Sequence, residues 1–217
     1  CAVAADVQTC RQLLLSLSPP GTEEGHQAFL DDADKVYREC QDSQLPLDIR
    51  VKALMKYGAA SHVRGHKQTA SVALRKAIDI LDRAPGDQTL LLLEALDSAV
   101  LIETDARMRS DATSHAKRAL SLRQARFGQE SAEAVVAMVD LSMVHATFGD
   151  FQAAEILLRA AIRIAEKTCG PECVALSRAY TGMSVLYTTL GNDVQAKKYD
   201  ELALNAYPPR EHVSKNE

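Results

Sequence analysis

Alanines recur along this chain at a fixed interval of 42 residues. Ala70, Ala112, Ala154 and Ala196 form one series; Ala77, Ala119, Ala161 and Ala203 form a second in the same register. The residues after the second series, Ile78, Leu120, Ile162 and Leu204, keep the spacing too. So do Gly65, Gly149 and Gly191, with Arg107 in the slot between, and Gly86, Gly128 and Gly170. Several series in one register restrict the chain to a stack of similar units, each burying its apolar face against the next.

The chemistry of each series says what the unit is. The Gly65 series lies between two amphipathic stretches, where a helix wants a C′ residue with positive φ. The paired alanines are seven apart, on one stripe of the following helix, and small side chains there let two helices approach closely. The Gly86 series ends that second helix. New starts follow at Asp87, at Ser131 and at Pro171–Glu172, residue types suited to N-caps and first turns. Aromatics make up 5% of the chain and Trp is absent, so Leu, Ala, Val, Ile and Met must fill the core. Gly and Pro cluster between the helical stretches instead of recurring at the short intervals a β-sandwich needs. The fold class expected is all-α.

The last unit places Tyr180, Met183, Ser184, Tyr187, Gly191, Ala196, Tyr199, Ala203 and Pro208 in a pattern that resembles the tetratricopeptide repeat, in the 42-residue form of kinesin light chain. Met138, Leu141, Ser142, Gly149, Ala154 and Ala161 match in the unit before, and Leu54, Tyr57, Gly58, Gly65, Ala70 and Ala77 further back. The unit with Leu96, Ala99, Val100, Ala112 and Ala119 departs from the pattern at Arg107. The resemblance implies a right-handed α-solenoid of about five antiparallel helix pairs. Four repeats would occupy residues 46–208, after a divergent capping pair at 1–45 and before a polar tail at 209–217. Within the cap, one helix is expected from Ala4 to Leu17, a break at Ser18-Pro19-Pro20-Gly21, and a second helix from Thr22 to about Cys40.

The resemblance also implies that the inner helix of each pair lines a concave groove. In this register the candidates are Lys52, Met55 and His62; Glu94, Asp97, Leu101 and Asp105; Val139, Met143 and Thr147; and Arg178, Thr181, Val185 and Thr188. The middle of that set is apolar and adaptable, and its ends carry charge of both signs. The Lys/Asn set with which relatives clamp a C-terminal carboxylate is missing. An extended or helical peptide with apolar anchors is the expected partner.

Cys169 and Cys173 flank an expected inter-repeat turn. They read as a disulfide clip, as free thiols, or as a redox or metal pair. Cys10 and Cys40 could join the two N-terminal helices, although a second helix starting at Thr22 would carry Cys40 closer to Cys1 than to Cys10. Cys1 as first residue resembles a mature bacterial lipoprotein, with Cys1 as the lipidated residue, Ala2 after it, and the periplasmic side of the outer membrane as the location. One acylated Cys and two oxidised pairs would account for five cysteines. The alternative is a cytoplasmic scaffold or regulatory module.

Net charge is −4 without a basic run, which disfavours nucleic acid as a partner. No apolar stretch is long enough to span a bilayer, so membrane contact is expected only through a lipid. The histidines are scattered. His62 and His66 straddle the Gly65 turn, and His145 is read as a packing residue. Asp31, Asp32 and Asp34 lie within an expected helix and should mostly face solvent. Glu155, Arg159, Arg163 and Glu166 form the i,i+4 pattern of an exposed helix. Phosphate-binding loop, nucleophile-elbow and zinc-helix motifs are all missing, so no enzyme, metal or cofactor is expected. The expected role is an adaptor in the bacterial envelope, assisting secretion or pilus assembly or acting as an immunity protein. An enzyme with a site in the groove is the third reading.

Overall fold

The computed structural model describes residues 6–16, 23–40, 44–170 and 173–207. Among them there are ten helices and no strand. They fall into two compact units, residues 1–115 and 116–217. The first unit holds α1 (Val7–Ser16), α2 (Glu23–Glu39), α3 (Leu47–Val63), α4 (Lys67–Asp82), α5 (Thr89–Asp105) and the start of α6 (Arg109–Phe127). The second holds the rest of α6, α7 (Ala132–Thr147), α8 (Phe151–Thr168), α9 (Val174–Thr189) and α10 (Asp193–Ala206).

Within each unit consecutive helices pack as pairs: α3 with α4, α7 with α8, and α9 with α10. All eight alanines of the two 42-residue series are buried. They are the small contact points that let the second helix of each pair close on its neighbours. One turn recurs. Gly65, Gly149 and Gly191 have φ of 78°, 81° and 72°. The N–H of Gly65 donates to the His62 carbonyl at 2.8 Å and that of His66 to the Ser61 carbonyl at 2.8 Å, a Schellman closure. Arg107 occupies the same slot at φ 60° with the same two bonds, its own N–H to Thr104 and that of Met108 to Glu103. The side chain has changed there and the turn has not. At helix starts, the Ser131 hydroxyl accepts from the Ala134 N–H at 3.1 Å, and Asp87 accepts from Thr89 at 2.9 Å.

The first unit's N-terminal part differs from the expected cap in detail. Asp6 accepts from the Thr9 N–H at 2.8 Å and α1 begins at Val7. That bond holds the Asp6 carboxyl below its usual range. Ala4, Leu17, the break at Ser18-Pro19-Pro20-Gly21, Thr22, and Pro208 with the tail at 209–217 lie outside the described residues. Cys10 and Cys40 are bonded, S–S 2.17 Å and Cα–Cα 5.9 Å. The geometric objection assumed a first helix running along the second from Ala4. Instead Cys10 sits in the first turn of α1, and α1 touches α3 as well as α2. Both cysteines are fully buried beside Val36, Ile49 and Ala53.

In the second unit α9 crosses α7 and α8 at close range. A Cβ at Gly182 would lie 2.6 Å from Leu158 Cδ2 and 3.4 Å from Val139 Cγ1. Leu158, Met183 and Leu186 are almost fully enclosed in this core. Cys169 and Cys173 are bonded across the α8–α9 turn, S–S 1.99 Å, the clip among the readings of that pair. Pro171 and Glu172 between them lie outside the described residues. The Cys173 N–H donates to the Ala206 carbonyl at 2.9 Å and the Ser177 hydroxyl to the Ala203 carbonyl at 2.8 Å, so the start of α9 is tied to the end of α10.

Candidate functional site

The inner helices α3, α5, α7 and α9 are apolar on most of their circumference, because each packs on two or more other helices: α3 on α2 and α4, α5 on α3 and α4, α7 on α8 and α9, and α9 on α7, α8 and α10. What they leave outward is a narrow stripe. On α5 that stripe is Glu94, Asp97, Leu101 and Asp105, all exposed at helical spacing. On α3 Lys52 is exposed, while Met55 and His62 are half-buried. The structure joins two of these candidates: His62 Nε2 donates to Asp105 Oδ2 at 2.8 Å, and Lys67 Nζ reaches the same carboxylate at 2.8 Å. The hydrogen bonds from Lys67, foremost, and from His62 hold the Asp105 carboxyl below its ordinary range. The α3–α5 face therefore ends in a fixed charge cluster.

In the second unit the outward stripe of α9 is Arg178, Thr181, Val185 and Thr188, all exposed. Thr181 donates to the Ser177 carbonyl and Thr188 to the Ser184 carbonyl, each at 2.9 Å. On α7 Met143 is 37% exposed and Thr147 half-buried. Val139 is a correction. It is 5% exposed and packs beneath α9 near Gly182, so it belongs to the core and not to the face. The residue that does look outward is its neighbour Asp140, which accepts from Arg178 Nη2 at 3.0 Å. Asp140 was missed, although a charged residue in the middle of a run as apolar as α7 is a signal of an exposed position.

Three further polar groups resolve as structure. His145 Nδ1 donates to Asp150 Oδ2 at 3.0 Å and is largely enclosed, which fits packing at the α7–α8 turn. Asp31 faces solvent, but Asp34 is half-buried and accepts from Arg64 at 2.8 Å, so that part of the acidic run is bound to the α3–α4 turn. Glu103 was not anticipated at all. It is fully buried, with the Ser71 hydroxyl donating to Oε1 at 3.2 Å and His115 Nδ1 to Oε2 at 2.8 Å. The carboxylate stands between the other two, so His115 does not touch Ser71 to activate it. The cluster joins α4, α5 and α6 as a satisfied polar contact. Among the described residues no group of His, Cys, Asp and Glu could hold a metal, and no helix is long and apolar enough to cross a membrane. Cys1, the expected lipidation site, lies outside the described residues.

Comparison with known proteins comes to the same architecture. Residues 133–208 match the tetratricopeptide repeat family. No curated protein matches the sequence. A kinesin light chain of Podospora anserina with nearly identical repeats superposes with a TM-score of 0.67 at 15% identity, covering 91% of this chain and 90% of that one. BtubC of P. vanneervenii gives a TM-score of 0.61 at 15% identity over 91% and 73% of the two chains. YrrB, described as a repeat protein with an unusual peptide-binding site, gives 0.52 at 15% identity over 94% and 86%. At these identities the likeness is one of fold.

Proposed function

With residues 133–208 belonging to the tetratricopeptide repeat family and the whole described chain sharing the fold of its solenoids, we propose that this protein is a scaffold that binds a protein or peptide along the outward faces of its inner helices. One observation carries the reading. Leu101, Met143 and Val185 occupy the same slot of successive 42-residue units, and all three are exposed, at 67%, 37% and 41%. A buried core explains the apolar residues around them but not these. In the first unit that slot is accompanied by Glu94 and Asp97, and in the second by Arg178; each face by itself suits a peptide with apolar anchors and a polar rim. YrrB is described as binding peptide and PlcR is described in complex with the peptide PapR7, which makes such a role familiar for this fold.

The proposal includes an oxidising, extracytoplasmic setting. The four described cysteines form two bonds, Cys10–Cys40 and Cys169–Cys173, and such bonds persist outside the reducing cytoplasm. Thiol counting on protein taken directly from its native source under non-reducing conditions tests this; free thiols at those four positions would return the protein to the cytoplasm. For the binding face, a displayed peptide library is selected on the wild-type chain and re-screened on a Met143→Asp/Val185→Asp double variant. The expected result is a family of peptides with spaced apolar anchors that the double variant no longer retains. Equal retention by the folded variant would remove this face as the binding surface.

A further inference from the structure

In the second unit, α9 lies over a surface made by α7 and α8, and the contact is set by Val135, Val139, Leu158, Ala161 and Ala165, all buried. The residues 42 positions further on are Ser177, Thr181, Asp200, Ala203 and Tyr207. With Leu204, the counterpart of Ile162, these line an open cleft of about 480 Å³ on the α9–α10 pair. The surface that carries one helix in the preceding pair thus recurs on the last pair, with its chemistry altered. Leu204 is 76% exposed and Tyr207 54% exposed, large apolar side chains at an edge of the cleft. At the centre, the counterpart of the enclosed Leu158 is Asp200, an exposed carboxylate with no ion-pair partner among the described residues.

We propose that this cleft seats an amphipathic helix of a partner protein, with a lysine or arginine of that helix opposite Asp200. The repeat register sets the shape of the occupant, since the equivalent surface already holds a helix, and Asp200 sets its charge. Gly182 of α9 lies directly over Leu158, so the residue of the occupant that takes Gly182's place faces Asp200. A long cation there fills the space a carboxylate leaves relative to leucine and gains a charge-assisted bond. The inner helices of a second copy are already engaged in their own pairs. Apart from Thr181, which borders both, the cleft is separate from the face carrying Met143 and Val185, and the two sites can fail independently.

The probe is a capped, fluorescent peptide with the sequence of residues 174–189 carrying Gly182→Lys, titrated into the full chain; a Gly182→Glu peptide is the control. The lysine peptide should bind at least about tenfold more tightly than the glutamate peptide, because a like charge opposite Asp200 is costly. Asp200→Lys should invert that preference. Leu204→Asp should weaken the lysine peptide at least about tenfold, since it places a charge in the apolar edge. Met143→Asp should leave it unchanged, and a loss there would move the peptide to the other face and overturn the assignment. Absence of saturable binding, or binding indifferent to Leu204→Asp and to the charge exchange, would overturn it as well. Sedimentation velocity on the unliganded chain supplies a further arm: a dimer that Leu204→Asp disperses would give the cleft to a second copy and end the partner-helix reading.

Discussion

Gly182 rests against Leu158, and a Cβ in place of its hydrogen would come within 2.6 Å of Leu158 Cδ2. In a helix interior Gly costs about 1 kcal/mol relative to Ala, so its presence in α9 reflects the close approach of the helices. Gly182→Ala should therefore lower stability despite better helix propensity, by up to about 2 kcal/mol net once overpacking of about 1–3 kcal/mol is set against the gain of about 1 kcal/mol. Leu158→Ala alone should cost about 2–5 kcal/mol, and the double variant should cost less than the sum. Urea denaturation of the four chains measures the coupling; strict additivity would mean that the two residues do not share the space.

Arg107 stands where the other described turns of its series have glycine, at φ 60°. A side chain in the left-handed region costs about 1–2 kcal/mol. Arg107→Gly should raise stability by about 0.5–1 kcal/mol, after allowing for the greater entropy glycine has in the unfolded chain. The mirror change, Gly149→Ala, should lower it by about 1 kcal/mol, because its φ of 81° is one that alanine resists. Nothing lies within 4 Å of a Cβ built there, so conformation alone decides the result. Thermal unfolding of both variants checks the pair.

The two disulfides should contribute unequally. Cys10 and Cys40 are 30 positions apart, and Cys169 and Cys173 only 4. On the chain-entropy account the longer loop is worth about 3–4 kcal/mol and the shorter about 2 kcal/mol. Serine pairs at each site, compared by denaturant midpoint, should rank in that order. A larger loss at Cys169–Cys173 would show that tying α8 to α9 matters more than loop closure.

Tyr180 gives a pH dependence with a definite sign. Burial, and then the hydrogen bond its hydroxyl donates to Glu166 at 2.9 Å, push its pKa up to about 12. In the unfolded chain a tyrosine ionises near 10, so the unfolded state sheds this proton first. The contribution is complete below pH ~10 and is lost as pH rises through ~12. Absorbance titration should find one tyrosinate forming near that upper value and missing in Tyr180→Phe. The wild-type stability advantage over Tyr180→Phe should shrink across the same interval.

The helices and their turns were legible because a repeat writes the same physics several times: one buried alanine is unremarkable, but eight in register define the buried stripe of the second helix in each pair. Arg107 was legible as an exception for the same reason. Val139 was misplaced because the outward stripe was carried from repeat to repeat by position, while α9 happens to close on that position through Gly182. Asp140, one residue on, was signalled by its charge in so apolar a helix, but its pairing with Arg178 needed the packing of α9 on α7 to be known. Glu103 escaped notice because a lone charge inside a helix ordinarily faces water, and only the meeting of Ser71 and His115 from other helices makes its burial tolerable. The Cys10–Cys40 bond likewise depended on how α1 meets both α2 and α3.

The threonines of α9 have a bearing on selectivity. Thr181 and Thr188 spend their hydroxyl protons on carbonyls one turn back in their own helix, as does Thr189 on Val185. What a ligand finds along that helix is methyl groups and Val185, with Arg178 at one end already engaged by Asp140. Discrimination among ligands along α9 would then follow bulk and greasiness more than main-chain donors, with a negative heat-capacity change on binding as its calorimetric mark.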